Sequence, residues 1–185
     1  IVFLRHAEAQ EKGTIPNTQR QLTPLGCKQA CRMGEALRRA DFTPSLVIVS
    51  DAQRTAQTAA LIVGGLVDTV RFPELRNMGL YEYGGVNAIV QGHAEETPFV
   101  ELLAKDPGNF WMRHARMVVQ HLHDVITEKQ AHQVLIVGHH YTQNAICLAL
   151  LGCDHPVLLG PLPKHAEGFM IDDQVNVTPI TLDSP

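Results

Sequence analysis

The chain has 185 residues, of which 45% are hydrophobic and 18% charged, a balance typical of a globular protein with a buried core. Its formal net charge of -4 provides no basic field, so we expect no nucleic-acid partner. The sequence has no run of roughly 20 apolar residues that could span a bilayer, so we expect no membrane partner. The length and the absence of a linker predict a single domain over residues 1–185.

The four cysteines form no CxxC pair, which favours a reduced, cytoplasmic protein. We expect them to be buried as small hydrophobic side chains: Cys27, Cys31, Cys147 and Cys153. The opening run 1–4 is too short for the core of a signal peptide, so we interpret it as a strand. The sequence gives no signal for an oligomeric state.

The first half of the chain predicts two strands and two helices. The apolar runs 1–4 and 46–49 are typical of buried strands. Thr23-Pro24 marks the start of a helix, with Thr23 as its N-cap. A second helix begins after Ser50 or Asp51, either of which could cap it, and ends at Gly64-Gly65.

The second half begins with a weakly periodic excursion over residues 71–108, in which we expect one short helix at 98–104. Asn109 is then expected to cap a long helix that ends near residue 128. A third buried strand at 134–137 precedes a helix at about 142–151. Residues 167–171 and 174–180 predict a closing hairpin. The alternation predicts an α/β fold, a three-layer α/β/α sandwich with a mostly parallel central sheet.

Each of the three buried strands leads into a cationic or imidazole side chain. Arg5 and His6 follow the first strand, Arg54 follows the second after a short turn, and His139 follows the third. Because ligands bind at the carboxyl ends of parallel strands, we expect these side chains to meet at one sheet edge. Two guanidinium groups and two imidazoles at one point favour an anion, and phosphate is the anion that they suit best.

Arg54 carries additional information because it lies in the first turn of a helix, where the macrodipole disfavours a cation. An anion shared with the helix N-terminus would remove this conflict, and so would a structural pair with Asp51. His139 follows Gly138, which permits a tight turn at the sheet edge. Two adjacent residues in a turn rarely serve one centre, so we rank His139 above His140 as a site residue.

Four segments of the sequence resemble signatures of the histidine phosphatase superfamily, also called phosphoglycerate mutase-like. Leu4-Arg5-His6-Ala7-Glu8 is similar to its RHG or RHA motif, and Leu22-Thr23-Pro24-Leu25-Gly26 to its LTxxGxxQA helix start. The segment 50–59, SDAQRTAQTA, resembles its SxxxRxxQTA motif, and Val137-Gly138-His139 its VGH. The short chain and Arg20 are most similar to the phosphohistidine phosphatase (SixA-like) branch, although Asn17 replaces a frequent Asp.

The resemblance implies that His6 is a nucleophile that becomes phosphohistidine, while Arg5, Arg54 and His139 hold the phosphoryl oxygens. Further substrate contacts are expected from the residues Arg20, Asn17 and His140. The chemistry agrees, because phosphoryl transfer needs positioning and charge neutralisation, which arginines and a second histidine supply without a cofactor. The histidines show no metal-ligand spacing, so we expect neither a metal ion nor a cofactor.

The general acid is less well defined in the sequence. Many family members have a Glu in an LxE motif, but Leu75-Arg76-Asn77 has Asn at that position, and Asn cannot donate this proton. Glu82, in the same excursion, and Glu8 are the two carboxyl candidates. If neither acts, the site favours substrates with good leaving groups, such as phosphohistidine.

The favoured function is a metal-independent phosphatase, a phosphoric monoester hydrolase acting on a small-molecule phosphate ester or a phosphoprotein. Two alternatives stay open. A phosphoglycerate-type mutase would need a more elaborate lid than this excursion suggests. The protein could also be a non-catalytic module that binds phosphorylated ligands, because Asn77 stands at the position of the usual acid.

Overall fold

A computed structural model describes residues 1–11, 13–72, 75, 97–106, 109–152 and 163–182 of the chain. Six strands form one sheet, and they are β1 (Val2–Arg5), β2 (Leu46–Val49), β3 (Asp68–Arg71), β4 (Val134–Gly138), β5 (Gly168–Ile171) and β6 (Val177–Ile180). Five α-helices accompany them in the described residues: α1 (Pro24–Arg39), α2 (Gln53–Val63), α3 (Phe99–Ala104), α4 (Phe110–Glu128) and α5 (His140–Leu150). A short 3-10 helix, Asn17–Gln19, lies between β1 and α1.

The strand order across the sheet is β3-β2-β4-β1-β5-β6. The four strands from β3 to β1 are mutually parallel, whereas β5 is antiparallel to β1 and β6 is antiparallel to β5. The predicted α/β fold with a mostly parallel sheet is therefore confirmed, and so is the closing hairpin. Because β1, β2 and β4 run in the same direction, their carboxyl ends share one edge with the first residues of β5.

Apolar side chains cover both faces of the sheet, since successive residues of a strand point to opposite sides. On one face, Val2 and Leu4 pack with Met33 of α1 and Ile62 of α2. On the other face, Phe3 belongs to a cluster with side chains of α4 and α5. The sheet is thus the middle of three layers, as the sequence predicts.

Several local predictions are confirmed. The Thr23 hydroxyl accepts a hydrogen bond from the Gly26 amide at 3.0 Å, which makes it the N-cap of α1. Gly64 ends α2 in the left-handed conformation, with φ of 63°. The expected cap of α2 is wrong, however, because the N-cap residue is Ala52 and no side chain caps the helix; the Ser50 hydroxyl accepts a hydrogen bond from the Ala52 amide instead, at 3.3 Å.

Other local predictions need correction. Strand β3 is not predicted, because it is a polar edge strand whose residues are mostly exposed and lack an apolar pattern. Asn109 is the N-cap of α4, but its side chain forms no capping bond; the Asp106 carboxylate accepts from the Trp111 amide instead, at 2.9 Å. Helix α5 begins at His140, two residues earlier than predicted. Cys31 is exposed and Cys27 is half-buried, whereas Cys147 is buried as expected.

Candidate active site

The structure brings Arg54 and His139 to His6 at the carboxyl edge of the sheet. Arg54 Nε lies 3.0 Å from His6 Nε2, and the rings of His6 and His139 are 5.2 Å apart in an edge-to-face arrangement. All three side chains are buried, with exposed fractions of 7% for His6, 4% for Arg54 and 7% for His139. Segments that are far apart in the sequence thus meet at one point, as the motif order predicts.

The hydrogen bonds of His6 define which ring nitrogen carries the proton. Nδ1 lies 2.8 Å from the carbonyl oxygen of Ala7, which can only accept, so Nδ1 holds the hydrogen. Nε2 is consequently the nitrogen with the free electron pair, and it accepts from Arg54 Nε. The backbone beside the ring is fixed in turn, because the Ala7 amide donates to the Thr58 hydroxyl at 3.0 Å. The nitrogen able to attack an electrophile is therefore held in a defined position.

The surroundings of His6 also keep its ring neutral. Burial, and then the charges of His139, Arg54 and Arg5, hold the pKa of His6 well below its usual range. A neutral imidazole has the electron pair that a nucleophile needs, whereas an imidazolium does not. The cations that would neutralise a bound phosphate therefore also keep the attacking ring unprotonated.

Several hydrogen bonds orient Arg54. Besides His6, it donates through Nη1 to the carbonyl oxygen of Asn17 at 2.5 Å, and its Nη2 lies 3.4 Å from His139 Nδ1. Since a guanidinium can only donate, this geometry gives His139 an unprotonated Nδ1 and a protonated Nε2. That Nε2 lies 3.1 Å from the buried hydroxyl of Ser50. The guanidinium plane and both imidazoles are thus fixed relative to one another.

Hydrogen bonds link Arg20 and Asn17 to Arg54. Arg20 Nε donates to the Gln10 carbonyl oxygen at 2.5 Å, and its Nη1 donates to the Asn17 side-chain oxygen at 3.2 Å. Because the Asn17 carbonyl in turn receives Arg54, these contacts connect Arg20 to the site through Asn17. The direct substrate contact expected of these two residues stays a prediction.

The remaining predicted residues occupy different surroundings. Arg5 ends β1 and donates through Nη1 to the Pro163 carbonyl oxygen at 3.2 Å. The ring of His140 packs against Tyr141, with centroids 4.0 Å apart, whereas His139 is the one that packs against His6. Glu8 accepts from the Thr23 hydroxyl at 2.6 Å, at the start of α1. Glu82 and Asn77 lie outside the described residues.

Two contributors to the site are absent from the sequence-based prediction. Ser50 is part of the SxxxR segment, but its contact with His139 follows only from the pairing of β2 with β4. His165 has its ring 5.7 Å from that of His6, and no motif marks it in the sequence. Its proximity results from β5 lying antiparallel beside β1. A single histidine before a hairpin matches no motif, so the sequence does not indicate that His165 lies near His6.

The described part of the chain contains no group of three or more His, Cys, Asp or Glu side chains arranged to hold a metal ion. None of its helices is long and apolar enough to cross a membrane.

Comparison with solved structures shows that several proteins share this fold. A putative phosphohistidine phosphatase SixA from Agrobacterium tumefaciens has 19% identity and a TM-score of 0.61, with 95% of this chain and 93% of that chain covered. A putative α-ribazole-5'-P phosphatase from Escherichia coli has 19% identity and a TM-score of 0.62, with 98% and 95% covered. An Entamoeba histolytica phosphoserine phosphatase variant in complex with phosphoserine has 16% identity and a TM-score of 0.59, with 97% and 94% covered.

No curated protein matches the sequence closely enough to count as a relative. The model of the histidine phosphatase superfamily (branch 1), in contrast, matches residues 1–159, which include all four motifs and the three buried residues that meet at the sheet edge. The predicted enzyme class, a phosphoric monoester hydrolase, is confirmed at the level of this family. The chain therefore belongs to the histidine phosphatase superfamily.

Proposed function

We propose that the protein hydrolyses phosphomonoesters or phosphohistidine without a metal ion, through a covalent phosphohistidine on Nε2 of His6. The observation that carries this proposal is the state of His6, with Nδ1–H directed at the Ala7 carbonyl and the Nε2 electron pair next to Arg54. In this arrangement Nε2 attacks phosphorus, and the leaving group departs on the opposite side. Water then attacks the phosphohistidine and releases inorganic phosphate and His6.

The proposed roles of the other residues follow from their charge and position. Arg54 transfers its hydrogen bond from Nε2 to a phosphoryl oxygen when the substrate enters, which frees the nucleophile. Arg5 and His139 bind further oxygens and neutralise the charge that spreads over them in the transition state. The donors are already oriented in the folded chain, so little reorganisation is needed when the reaction starts.

The substrate is proposed to be a small phosphate ester or a phosphorylated protein. Solved structures that share this fold include a putative phosphohistidine phosphatase, a phosphoserine phosphatase and a putative α-ribazole-5'-P phosphatase. The SixA-like pattern of the sequence, with Asn77 in place of a Glu, favours phosphohistidine within this range.

The test is to compare the natural chain with His6→Asn in the hydrolysis of nitrophenyl phosphate, with and without a chelator. We expect turnover that the chelator leaves unchanged and that His6→Asn abolishes. Rapid quenching of the natural chain with radiolabelled substrate should trap one phosphoryl adduct that is labile in acid and stable in base, as phosphohistidine is. His123→Asn is the matched control, because that side chain is 72% exposed.

Hydrolysis that persists in His6→Asn, or that requires an added metal ion, would contradict the proposal. Phosphate binding by the natural chain without turnover of any phosphoester would instead identify a binding module. Isomerisation of phosphoglycerate in excess of its hydrolysis would identify a mutase. A panel of phosphohistidine, phosphoserine and phosphoglycerate, assayed with the same preparations, separates these outcomes.

A further inference from the structure

His165 lies against the proposed nucleophile on a segment that the family model does not include. Its ring centroid is 5.7 Å from that of His6 at an interplanar angle of 42°, while His139 contacts His6 at 5.2 Å and 70°. His165 is half-buried. The family match ends at residue 159, so this imidazole is a feature of this chain that the match does not explain.

The backbone around His165 is fastened to the end of β1. The Pro163 carbonyl accepts from Arg5 Nη1 at 3.2 Å, and the Glu167 carbonyl accepts from the Arg5 amide at 2.9 Å. The Ala166 amide donates to the His6 carbonyl at 3.3 Å. Contacts on both sides of His165 thus run to the two residues that begin the site. The backbone that carries the His165 ring is consequently held beside the end of β1.

The turn that carries His165 is also strained. Ala166 is fully buried and has φ of 60°, in the left-handed region that a non-glycine residue occupies at a cost of roughly 1 kcal/mol or more. The Glu167 amide closes the turn by donating to the Lys164 carbonyl at 3.1 Å. Such strain persists where the surrounding structure enforces it, and functional sites are where it concentrates.

The proposed reaction needs a proton donor for the leaving oxygen, and the described residues supply few candidates. Asn77 replaces the Glu expected from the family resemblance, and Glu8 accepts the Thr23 hydroxyl at the start of α1. The two nitrogens of His139 are directed at Arg54 and Ser50. His165 is an imidazole whose ring lies beside the reacting ring, and imidazole exchanges protons near neutral pH.

We propose that His165 is the general acid and base of this site, an inference that rests on the function proposed above. In the first step the bond between phosphorus and the leaving oxygen breaks as His6 Nε2 bonds to phosphorus, and imidazolium His165 gives its proton to that oxygen. In the second step neutral His165 takes a proton from the water that attacks phosphorus. The bond to Nε2 then breaks, and both histidines return to their initial states.

The charged and titratable groups around His165 fit this role. The His6 ring faces it from the end of β1, Arg5 donates to the Pro163 carbonyl of the same segment, and His139 also contacts the His6 ring. Its own turn contributes Lys164 and Glu167. A phosphate dianion that enters between Arg5 and His6 offsets the positive charge there, and it thereby favours the protonated form of His165 when the substrate is bound.

The test measures kcat/KM for phosphate monoesters whose leaving groups differ in pKa, from nitrophenyl phosphate to an alkyl ester such as phosphoserine. In His165→Gln we expect a loss of about 10²- to 10³-fold for the alkyl ester, whose leaving oxygen needs a proton. The loss for nitrophenyl phosphate, which needs none, should stay below about tenfold. In the natural chain, kcat/KM for the alkyl ester should also fall at high pH as His165 deprotonates, and His165→Gln should lack that fall.

Lys164→Gln is the matched control, because it removes a charge from an exposed side chain in the same turn. It should leave the dependence on the leaving group unchanged. Equal losses in His165→Gln for all leaving groups, or no loss, would overturn the proposal while the phosphohistidine mechanism stands. Nitrophenyl phosphate also reports that the variant is folded. Failure of the proposed function itself would be distinct, since nitrophenyl phosphate would then be hydrolysed by His6→Asn as well, or would not be hydrolysed by the natural chain.

Discussion

His6 is almost completely buried, and this burial is the largest cause of its pKa lying well below the usual range. One hydrogen bond, from Nδ1 to the Ala7 carbonyl, favours protonation of that nitrogen but leaves Nε2 open. Burial and three neighbouring positive or titratable groups oppose a second proton. The result is a neutral imidazole beside two arginines, and the folded chain maintains it at a cost in stability when the solution becomes acidic.

This cost gives a prediction at the residue scale. In the unfolded chain His6 takes up a proton below about pH 6.5, whereas in the folded chain it stays neutral, so unfolding binds a proton and acid lowers the stability. His6→Asn removes this linkage. Below pH 6.5, and down to the pKa of His6 in the folded chain, acid should therefore lower the unfolding free energy of His6→Asn less steeply than that of the natural chain. The two slopes should differ by up to about 1.4 kcal/mol per pH unit.

Urea denaturation of both chains between neutral and mildly acidic pH measures this difference. His123→Asn provides the control, because its side chain is 72% exposed. Parallel stability curves for the natural chain and His6→Asn would show that His6 is protonated in the folded state, against the direction of its pKa shift.

At the scale of elements, helices α1 and α2 pack so closely that α1 needs a glycine, Gly34, where the two helices touch. A Cβ atom on Gly34 of α1 would lie 2.6 Å from the carbonyl oxygen of Ile62 in α2, which is too close for any real contact. Helix α2 also carries Arg54 at its beginning. The close packing of this helix pair therefore helps to set the distance between the guanidinium and His6.

Gly34→Ala should accordingly destabilise the fold by about 1–3 kcal/mol, since backbone on both sides must shift to admit a methyl group. Gly65→Ala is the matched control, because nothing lies within 4 Å of a Cβ at that position. Thermal or urea unfolding measures the difference. If both substitutions have the same small effect, the contact between α1 and α2 is looser than the structure indicates.

At the scale of the whole molecule, the site joins segments from nearly the full length of the chain. The end of β1, the start of α2, the end of β4 and the turn before β5 all contribute groups around His6. A phosphate bound by these groups would connect them further, and a ligand that binds only the folded state stabilises it by mass action.

Inorganic phosphate or tungstate should therefore raise the unfolding temperature. At about 100 times the dissociation constant the stabilisation should be about 2.7 kcal/mol, which corresponds to roughly 5–10 °C for a domain of this size. Arg54→Gln should remove most of the shift, whereas Arg39→Gln, an exposed residue at the end of α1, should preserve it. A shift of equal size in Arg54→Gln, measured by differential scanning fluorimetry, would place the anion elsewhere.

Much of this fold could be predicted because its signals are local. Runs of four apolar residues mark the buried strands β1, β2 and β4, and Thr23 and Gly64 mark where α1 begins and α2 ends. Strand β3 could not be predicted, since an exposed edge strand has no apolar alternation to reveal it. Asn109 has a left-handed backbone, and its side chain does not cap α4. The Asp106 carboxylate instead accepts a hydrogen bond from the Trp111 amide at the start of that helix.

The sequence by itself determined the motifs, and through the parallel order of strands it indicated that Arg54 and His139 would meet His6. Parallel strands place their carboxyl ends together whatever their spacing in the chain. Only the tertiary structure decided the tautomer of His6, the contact of Ser50 with His139 and the position of His165. The tautomer depends on how the folded backbone directs the Ala7 carbonyl, whereas the other two contacts depend on which strands are neighbours and on the direction of β5. Sheet pairing of distant segments leaves no trace in the local sequence pattern.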